Sequence, residues 1–338
     1  MSDLVLLVGA LILLALGGEL LVRGAVTVAE RLGMSPILIG LTLVGFGTST
    51  PELVTSVQAA RSGSPGIAVG NVVGSNLSNI LLILGLGAVL APMAIGSRAL
   101  VRDGAVMLFS AAALLLVGLT SGLVPAVGVA FLGVLATYVV YAYRQETTGG
   151  GGGHTAAYEK AEAFEELHDG PIHHAGGSRP RPAPGETRVG SLAGAIVLTL
   201  AGLALVLAGG KLLVDSATAL ARAAGISESV IGLTIVAVGT SMPEFVTTLV
   251  AAFRGHGDVA IGNVLGSNIY NVLGIAGLTA LLAPTPVPVE IARFDAPLML
   301  VASAALLVLL RTGMRLDRRE GAVLLAAYGA YLVALWPA

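Results

Sequence analysis

Residues 40–52 read GLTLVGFGTSTPE, and residues 232–244 read GLTIVAVGTSMPE. Nine of these 13 positions are identical, at a separation of 192 residues. The same offset aligns 69–79 (VGNVVGSNLSN) with 261–271 (IGNVLGSNIYN), where seven of 11 positions are identical. It also aligns GGELLV at Gly17 with GGKLLV at Gly209, without a gap. Chance does not produce such a register, so the chain is an internal duplication. Two copies at so long a period exclude a solenoid, which stacks many short repeats.

The composition says where the copies reside. Of 338 residues, 55% are hydrophobic and only 11% are charged, and mean hydropathy is +0.90. About 25% charge is usual for a soluble domain, so a soluble globular protein is excluded. Net charge of −2 excludes a basic nucleic-acid binder, and zero Cys excludes disulfides, thiolate metal sites and cysteine nucleophiles. A bilayer span takes about 20 apolar residues. The spans expected are 4–29, 36–60, 66–91, 101–120, 123–143, 191–221, 229–253, 258–283, 294–311 and 320–336. The fold class is therefore all-α integral membrane, with ten transmembrane helices. Five spans per copy is an odd number, so the second copy enters from the opposite side, as an inverted-topology repeat.

Three regions follow: 1–143 (first repeat), 144–190 (linker) and 191–338 (second repeat). The linker holds a glycine run (Gly149 to Gly153), an acidic stretch (Glu159, Glu162, Glu165, Glu166, Asp169) and a Pro/Arg segment (179–184). It reads as flexible, aqueous and dispensable for transport, with one short helix at 156–168. Its His154, His168, His173 and His174 read as solvated loop residues. No basic residue precedes the first apolar run, so no cleavable signal peptide is expected. With the N-terminus outside, 13 Lys and Arg lie on the inner side against three on the outer. This places both termini outside a cell (inner) membrane and the linker in the cytoplasm. Glu19 with Arg23, and Lys211 with Asp215, are (i, i+4) pairs expected near span ends.

The matching segments are the polar ones. Glu52 and Glu244 lie deep in the second and seventh spans, and a carboxylate there costs at least about 2.5 kcal/mol. No basic residue lies in the centre of either span, so a cation is the expected partner. Pro51 and Pro243 free helix carbonyls of the preceding turn. Thr48, Ser49, Thr240 and Ser241 crowd that turn with hydroxyls. Ser75 with Asn79, and Ser267 with Asn271, are four apart and share a helix face. Asn71, Asn76, Asn263 and Asn268 extend the polar set. Gly70, Gly74, Gly262 and Gly266 read as packing positions between close helices. These are hard oxygen donors. They suit Ca²⁺, which takes about 6–8 oxygens, and Na⁺, and they suit Zn²⁺ or Cu⁺ poorly.

These motifs resemble the two alpha repeats of the calcium/cation antiporter superfamily, the sodium/calcium exchangers, over nearly all ten spans. The resemblance implies that Glu52 and Glu244 bind Ca²⁺ and Na⁺ at the centre, and that Thr48 and Thr240 give carbonyls to Ca²⁺. It implies Na⁺ ligands from Gly45, Thr48, Ser49, Ser75, Ala237, Thr240, Ser241 and Ser267, with Asn79 and Asn271 at the remaining positions. It also implies that the first and sixth spans slide across a rigid core. Some exchangers carry Asp at one of the positions of Asn79 and Asn271; with Asn at both, the site charge is −2.

The expected function is a secondary antiporter exchanging Ca²⁺ for Na⁺ by alternating access, with no catalytic residues, cofactor, nucleic-acid partner or obligate protein partner. The ions and the bilayer are its partners. The rival readings are a Ca²⁺/H⁺ antiporter on the same scaffold and a cation channel. An intramembrane enzyme lacks a nucleophile–base constellation.

Overall fold

A computed structural model describes residues 2–32, 45–94, 98–148, 155–169, 191–312 and 314–335. The first copy contributes α1 (Ser2–Arg31), α2 (Gly45–Thr48), α3 (Thr50–Arg61), α4 (Pro65–Leu77), α5 (Gly85–Leu90), α6 (Arg98–Leu119) and α7 (Pro125–Thr148). Helix α8 (Ala156–Asp169) lies in the linker. The second copy contributes α9 (Leu192–Ala224), α10 (Glu228–Ile231), α11 (Ala237–Thr240), α12 (Met242–Phe253), α13 (Gly257–Ile269), α14 (Gly277–Leu282), α15 (Ala296–Thr312) and α16 (Arg318–Leu335). The strands β1 (Met93–Ala94) and β2 (Arg315–Leu316) pair antiparallel.

The protein is mostly helical. Among the described residues, six helices are long and apolar enough to cross a membrane, and a pair bent by 51° at Ser241 brings this to seven. Asp103–Leu119 is a shorter apolar helix. Leu and Val side chains stand exposed along α1 and α9, Val5 at 70% and Val197 at 65%. Apolar surface of this kind belongs against lipid. The chain is a multi-pass membrane protein.

Layering follows from burial. The spans Pro65–Leu90 and Gly257–Leu282 are 83% and 89% buried, whereas Leu4–Ala29 and Leu192–Ala224 are 33% and 22% buried. The motif-bearing helices therefore form the centre, and α1 and α9 lie outside them. Helices α1 and α9 touch backbone to backbone: a β-carbon added at Gly202 would sit 2.3 Å from the Leu21 amide nitrogen, and one at Gly24 2.6 Å from that of Thr199. Small residues permit this approach.

The duplication is written into the helix boundaries. Helices α2, α3, α4 and α5 begin and end 192 residues before α11, α12, α13 and α14. Between α4 and α5 runs a π-helical segment, Ser78–Leu84, and its counterpart is Tyr270–Ala276. One local rule, applied to two similar sequences, produced the same breaks twice.

The linker departs from expectation. Helix α8 forms as expected, but it is not solvated. Ala156, Ala157, Glu159, Lys160, Ala161 and Ala163 are buried, Lys160 completely. The helix packs on α13 and α12, with Ala161 and Phe164 against Val22, Val26 and Ala29 of α1. The physical reason lies at Gly262 and Gly266, whose missing side chains leave room for Glu159, the Ala156 carbonyl and the Lys160 stem. Residues 149–154 and 170–190 lie outside the described residues. The α1 pair forms as expected, Arg23 Nε donating to Glu19, and Lys211 Nζ lies 2.9 Å from Asp215 Oδ2.

Candidate functional site

Each glutamate starts a helix. Ser49 (φ −89°, ψ 11°) and Ser241 (φ −81°, ψ 12°) leave the helical conformation and separate α2 from α3 and α11 from α12. Pro51 and Pro243 fall in the first turn of the new helix, where a missing N–H costs nothing. The next residues, Glu52 and Glu244, stand at the positive end of a helix dipole. The prolines thus set where a second helix begins, and the glutamates inherit its amino-terminal field.

Both glutamates are buried, at 1% and 2% exposure. Each takes a hydroxyl from the other copy: Ser241 Oγ donates to Glu52 Oε1 at 3.0 Å, and Ser49 Oγ to Glu244 Oε1 at 3.3 Å. Behind them the asparagines hold the backbone. Asn71 Nδ2 donates to the Glu52 carbonyl (3.0 Å) and Ser56 Oγ (2.9 Å). Asn263 Nδ2 donates to the Glu244 carbonyl (3.2 Å) and the Thr247 (2.9 Å) and Thr248 (2.8 Å) hydroxyls. Asn71 and Asn263 are thus positioning residues, a role that the sequence reading did not separate from ion binding.

Among the described residues, the carboxylate and amide oxygens without a donor are Glu52 Oε2, Glu244 Oε2, Asn76 Oδ1, Asn79 Oδ1 and Asn271 Oδ1. A buried acceptor without a partner is costly. Unpartnered oxygens of this kind, supplied by both copies, are the type of donor that a hard cation takes. Among the described residues no group of three or more His, Cys, Asp or Glu stands together. Two carboxylates among amides and hydroxyls suit an ion that is held and then released.

The remaining expected residues are placed as follows. Ser75 Oγ donates to the Ala237 carbonyl at 3.4 Å, joining two of them. Thr240 Oγ1 donates to Asn71 Oδ1 and to the Val236 carbonyl, both at 3.0 Å. Asn79 Nδ2 donates to Asn268 Oδ1 at 2.9 Å. Thr48 is buried in the same turn as Ser49. Gly45 lies under Tyr270, whose Oη would be 2.9 Å from an added β-carbon and whose ring meets Phe46 edge to face. Tyr270 replaces the Ser78 of the other copy, so the two halves differ here.

The site also contains a group that the sequence reading missed. Lys160 Nζ lies 3.1 Å from Glu244 Oε1 and donates to Ser267 Oγ at 2.5 Å. The centre of each span holds no basic residue, as expected, but the linker brings one to Glu244 from outside the spans. Helix α8 delivers the ammonium from 84 residues away, with its first turn held by Ala156 N donating to buried Asp103 Oδ2. A signal was present: the chain has only two lysines, and Lys160 sits within an alanine face.

Comparisons with known proteins place the chain in a family. The sodium/calcium exchanger protein family matches residues 2–144 and 194–336. The sodium/calcium exchanger MaX1 of Methanosarcina acetivorans is 37% identical over 98% of both chains. The putative antiporter CaxA of Alkalimonas amylolytica is 36% identical over 98% of this chain and 97% of its own. A solved structure of the sodium-calcium exchanger NCX_Mj, soaked with Na⁺ and Sr²⁺, superposes with a TM-score of 0.61 at 30% identity, over 98% of this chain and 99% of that one. With the family matched in both copies and the linker left out of the match, the chain belongs to the sodium/calcium exchanger family.

Proposed function

We propose that the protein is a secondary antiporter that exchanges Ca²⁺ for Na⁺ at one central site built on Glu52 and Glu244. The observation that carries this reading is the reciprocal pair of contacts, Ser241 to Glu52 and Ser49 to Glu244. Each copy completes the other's carboxylate, so one site forms at the junction of the two copies. Glu52, Glu244, Asn79 and Asn271 each present an oxygen without a donor. The hydroxyls of Ser49, Ser241, Ser75 and Ser267 and the carbonyls of Thr48, Thr240, Gly45 and Ala237 complete the donor set for the two ions.

The mechanism follows from charge. Ca²⁺ and two Na⁺ each neutralise the two carboxylates, so they compete and exclude one another. An empty site would leave two buried charges without partners, which lipid-embedded protein disfavours. Occupancy therefore permits passage between two conformations, and two inverted five-helix copies supply states of similar energy. The ten helices cross a cell membrane with both termini outside.

The test is ⁴⁵Ca²⁺ uptake into proteoliposomes, driven in turn by a Na⁺ gradient and by a pH gradient. Uptake under the Na⁺ gradient alone is expected. Uptake under the pH gradient alone would replace Na⁺ with H⁺, and uptake with neither gradient would make the protein a channel.

A further inference from the structure

We propose that helix α8 is a tethered plug, whose Lys160 ammonium takes the place of the transported cation on Glu244 and Ser267. This rests on the reading that those two residues bind the ion. The two copies differ in what covers their glycines. In the first copy, the glycine face of α4 lies against the neighbouring repeat: a β-carbon at Gly70 would meet Leu233 N at 3.0 Å, and one at Gly74 the Leu233 carbonyl at 2.4 Å. In the second copy the equivalent glycines face α8 instead. A β-carbon at Gly262 would overlap the Glu159 side chain, and one at Gly266 would meet the Ala156 carbonyl at 2.9 Å. Likewise Ser75 spends its hydroxyl on the Ala237 carbonyl, while Ser267 receives Lys160. Among the described residues, it is a linker helix that covers the glycine face of the second copy.

The chemistry of the seat favours a cation mimic. Lysine carries a compact point charge with three donors, unlike the planar fork of arginine. It is the side chain closest in form to a bound monovalent ion. Lys160 touches one carboxylate and one hydroxyl, both of them ion ligands in this reading. While it is there, Ca²⁺ cannot have Glu244 Oε1.

The seat is also poised for release. Helix α8 buries Glu159, Lys160 and Glu162. Desolvating charges consumes most of what their pairing returns, so a buried ion pair adds little net stability. A divalent ion offering more charge to the same carboxylates displaces it. Seated, α8 bridges α1 through Ala161 and Phe164 and α13 through Lys160, tying an outer helix to the centre. The plug therefore blocks the site and holds α1 at once, and rising Ca²⁺ on the linker side relieves both.

Two measurements on the full-length protein test this. If the seated form holds about nine molecules in ten, the apparent KM for Ca²⁺ is about tenfold above its intrinsic value. Lys160→Gln is then expected to lower the KM on the linker side about tenfold without reducing the maximal rate. The chain has no cysteine, and Ala163 on α8 is 1% exposed. Ala163→Cys is expected to resist maleimide in chelator, to react when Ca²⁺ is added, and to react without Ca²⁺ once Lys160→Gln is present. Unchanged KM and unchanged labelling in a protein that transports Ca²⁺ would overturn the plug alone. Absence of flux in both forms, with Ala163→Cys still released by Lys160→Gln, would overturn the transport reading and leave the plug standing.

Discussion

Ser241 and Glu52 lie 189 residues apart in the chain and 3.0 Å apart in the structure. A hydroxyl can donate to a carboxylate or offer its lone pairs to a cation. Ser241 is therefore suited to both the empty and the loaded site. Ser241→Ala is expected to weaken Ca²⁺ binding about tenfold, the scale of one charge-assisted hydrogen bond. Ser241→Thr keeps the hydroxyl and should bind within a factor of about two. Calorimetric titration of the purified protein separates these outcomes, and equal affinity for the two variants would remove Ser241 from the site.

Glu52→Gln and Glu244→Gln each keep the shape and remove a charge. Either substitution should lower Ca²⁺ exchange by about 100-fold or more, equivalent to about 2.7 kcal/mol. Normal ⁴⁵Ca²⁺ flux in either variant would refute the shared-carboxylate mechanism.

Asn271 presents an oxygen without a donor. Asn271→Asp would change the site's fixed charge from −2 to −3 and call for one more positive charge per cycle. The reversal potential of Ca²⁺ flux under imposed voltage is expected to shift in the direction of one added charge per Ca²⁺. An unchanged reversal potential would place Asn271 outside the ion path.

Gly202 and Gly329 make a matched pair for stability. A β-carbon at Gly202 enters the backbone of α1, whereas one at Gly329 meets nothing within 4 Å. Gly202→Val should cost about 3 kcal/mol or more through overpacking, and Gly329→Ala should be neutral or gain up to about 1 kcal/mol in helix propensity. Thermal unfolding in detergent reads both. Equal Tm values would show that α1 and α9 separate without cost.

Asp317 opens α16 with a capping box. Its Oδ1 accepts from Glu320 N (3.0 Å) and Arg319 N (2.8 Å), while its own N–H donates to Glu320 Oε2 (2.9 Å). The Glu320 amide, followed by that of Arg319 and by nearby arginines, holds its carboxyl below the usual aspartate range. A depressed acid stabilises the fold above its ordinary range and loses that contribution as pH falls through the lowered value. Protection of the first-turn amides of α16, relative to the intrinsic exchange rate at each pH, should fall below pH ~4 in the wild type. Asp317→Asn, which keeps an oxygen acceptor, should flatten that dependence.

Much of this was legible before the structure. Two similar sequences produce the same helix boundaries because the signals are local: Pro51 and Pro243 mark helix starts, and the glycines of 66–74 and 262–266 permit close packing. The pairing of Glu52 with Glu244 was legible because charge is scarce and both occupy one repeat position. Lys160 was not legible, because its role depends on where a polar helix docks. Composition made 144–190 a solvated linker, and hydropathy counts the charges of α8 without seeing their partners. The fit of α8 onto Gly262 and Gly266 is a tertiary match that neither segment announces alone. The division of labour between Asn71 and Asn79 was likewise hidden. Both are buried amides, and only geometry distinguishes the one that holds a backbone from the one that keeps an oxygen free.

The π segments at Ser78–Leu84 and Tyr270–Ala276 have one further consequence. Each i→i+5 bond spends one residue more per turn than an α-helix does. The segment therefore acts as a phase shifter: it sets the angle between the groups before it, such as Ser75, and the packing surface of α5 after it. The polar face at the site and the apolar face beyond it keep their own directions although they share one rod. Removing a single residue within 78–84 would leave a longer, straighter helix, and would turn α5 away from Gly321, which it meets at Gly85. That a duplicated chain keeps the same shift in both copies means that the two rods stay in step with each other.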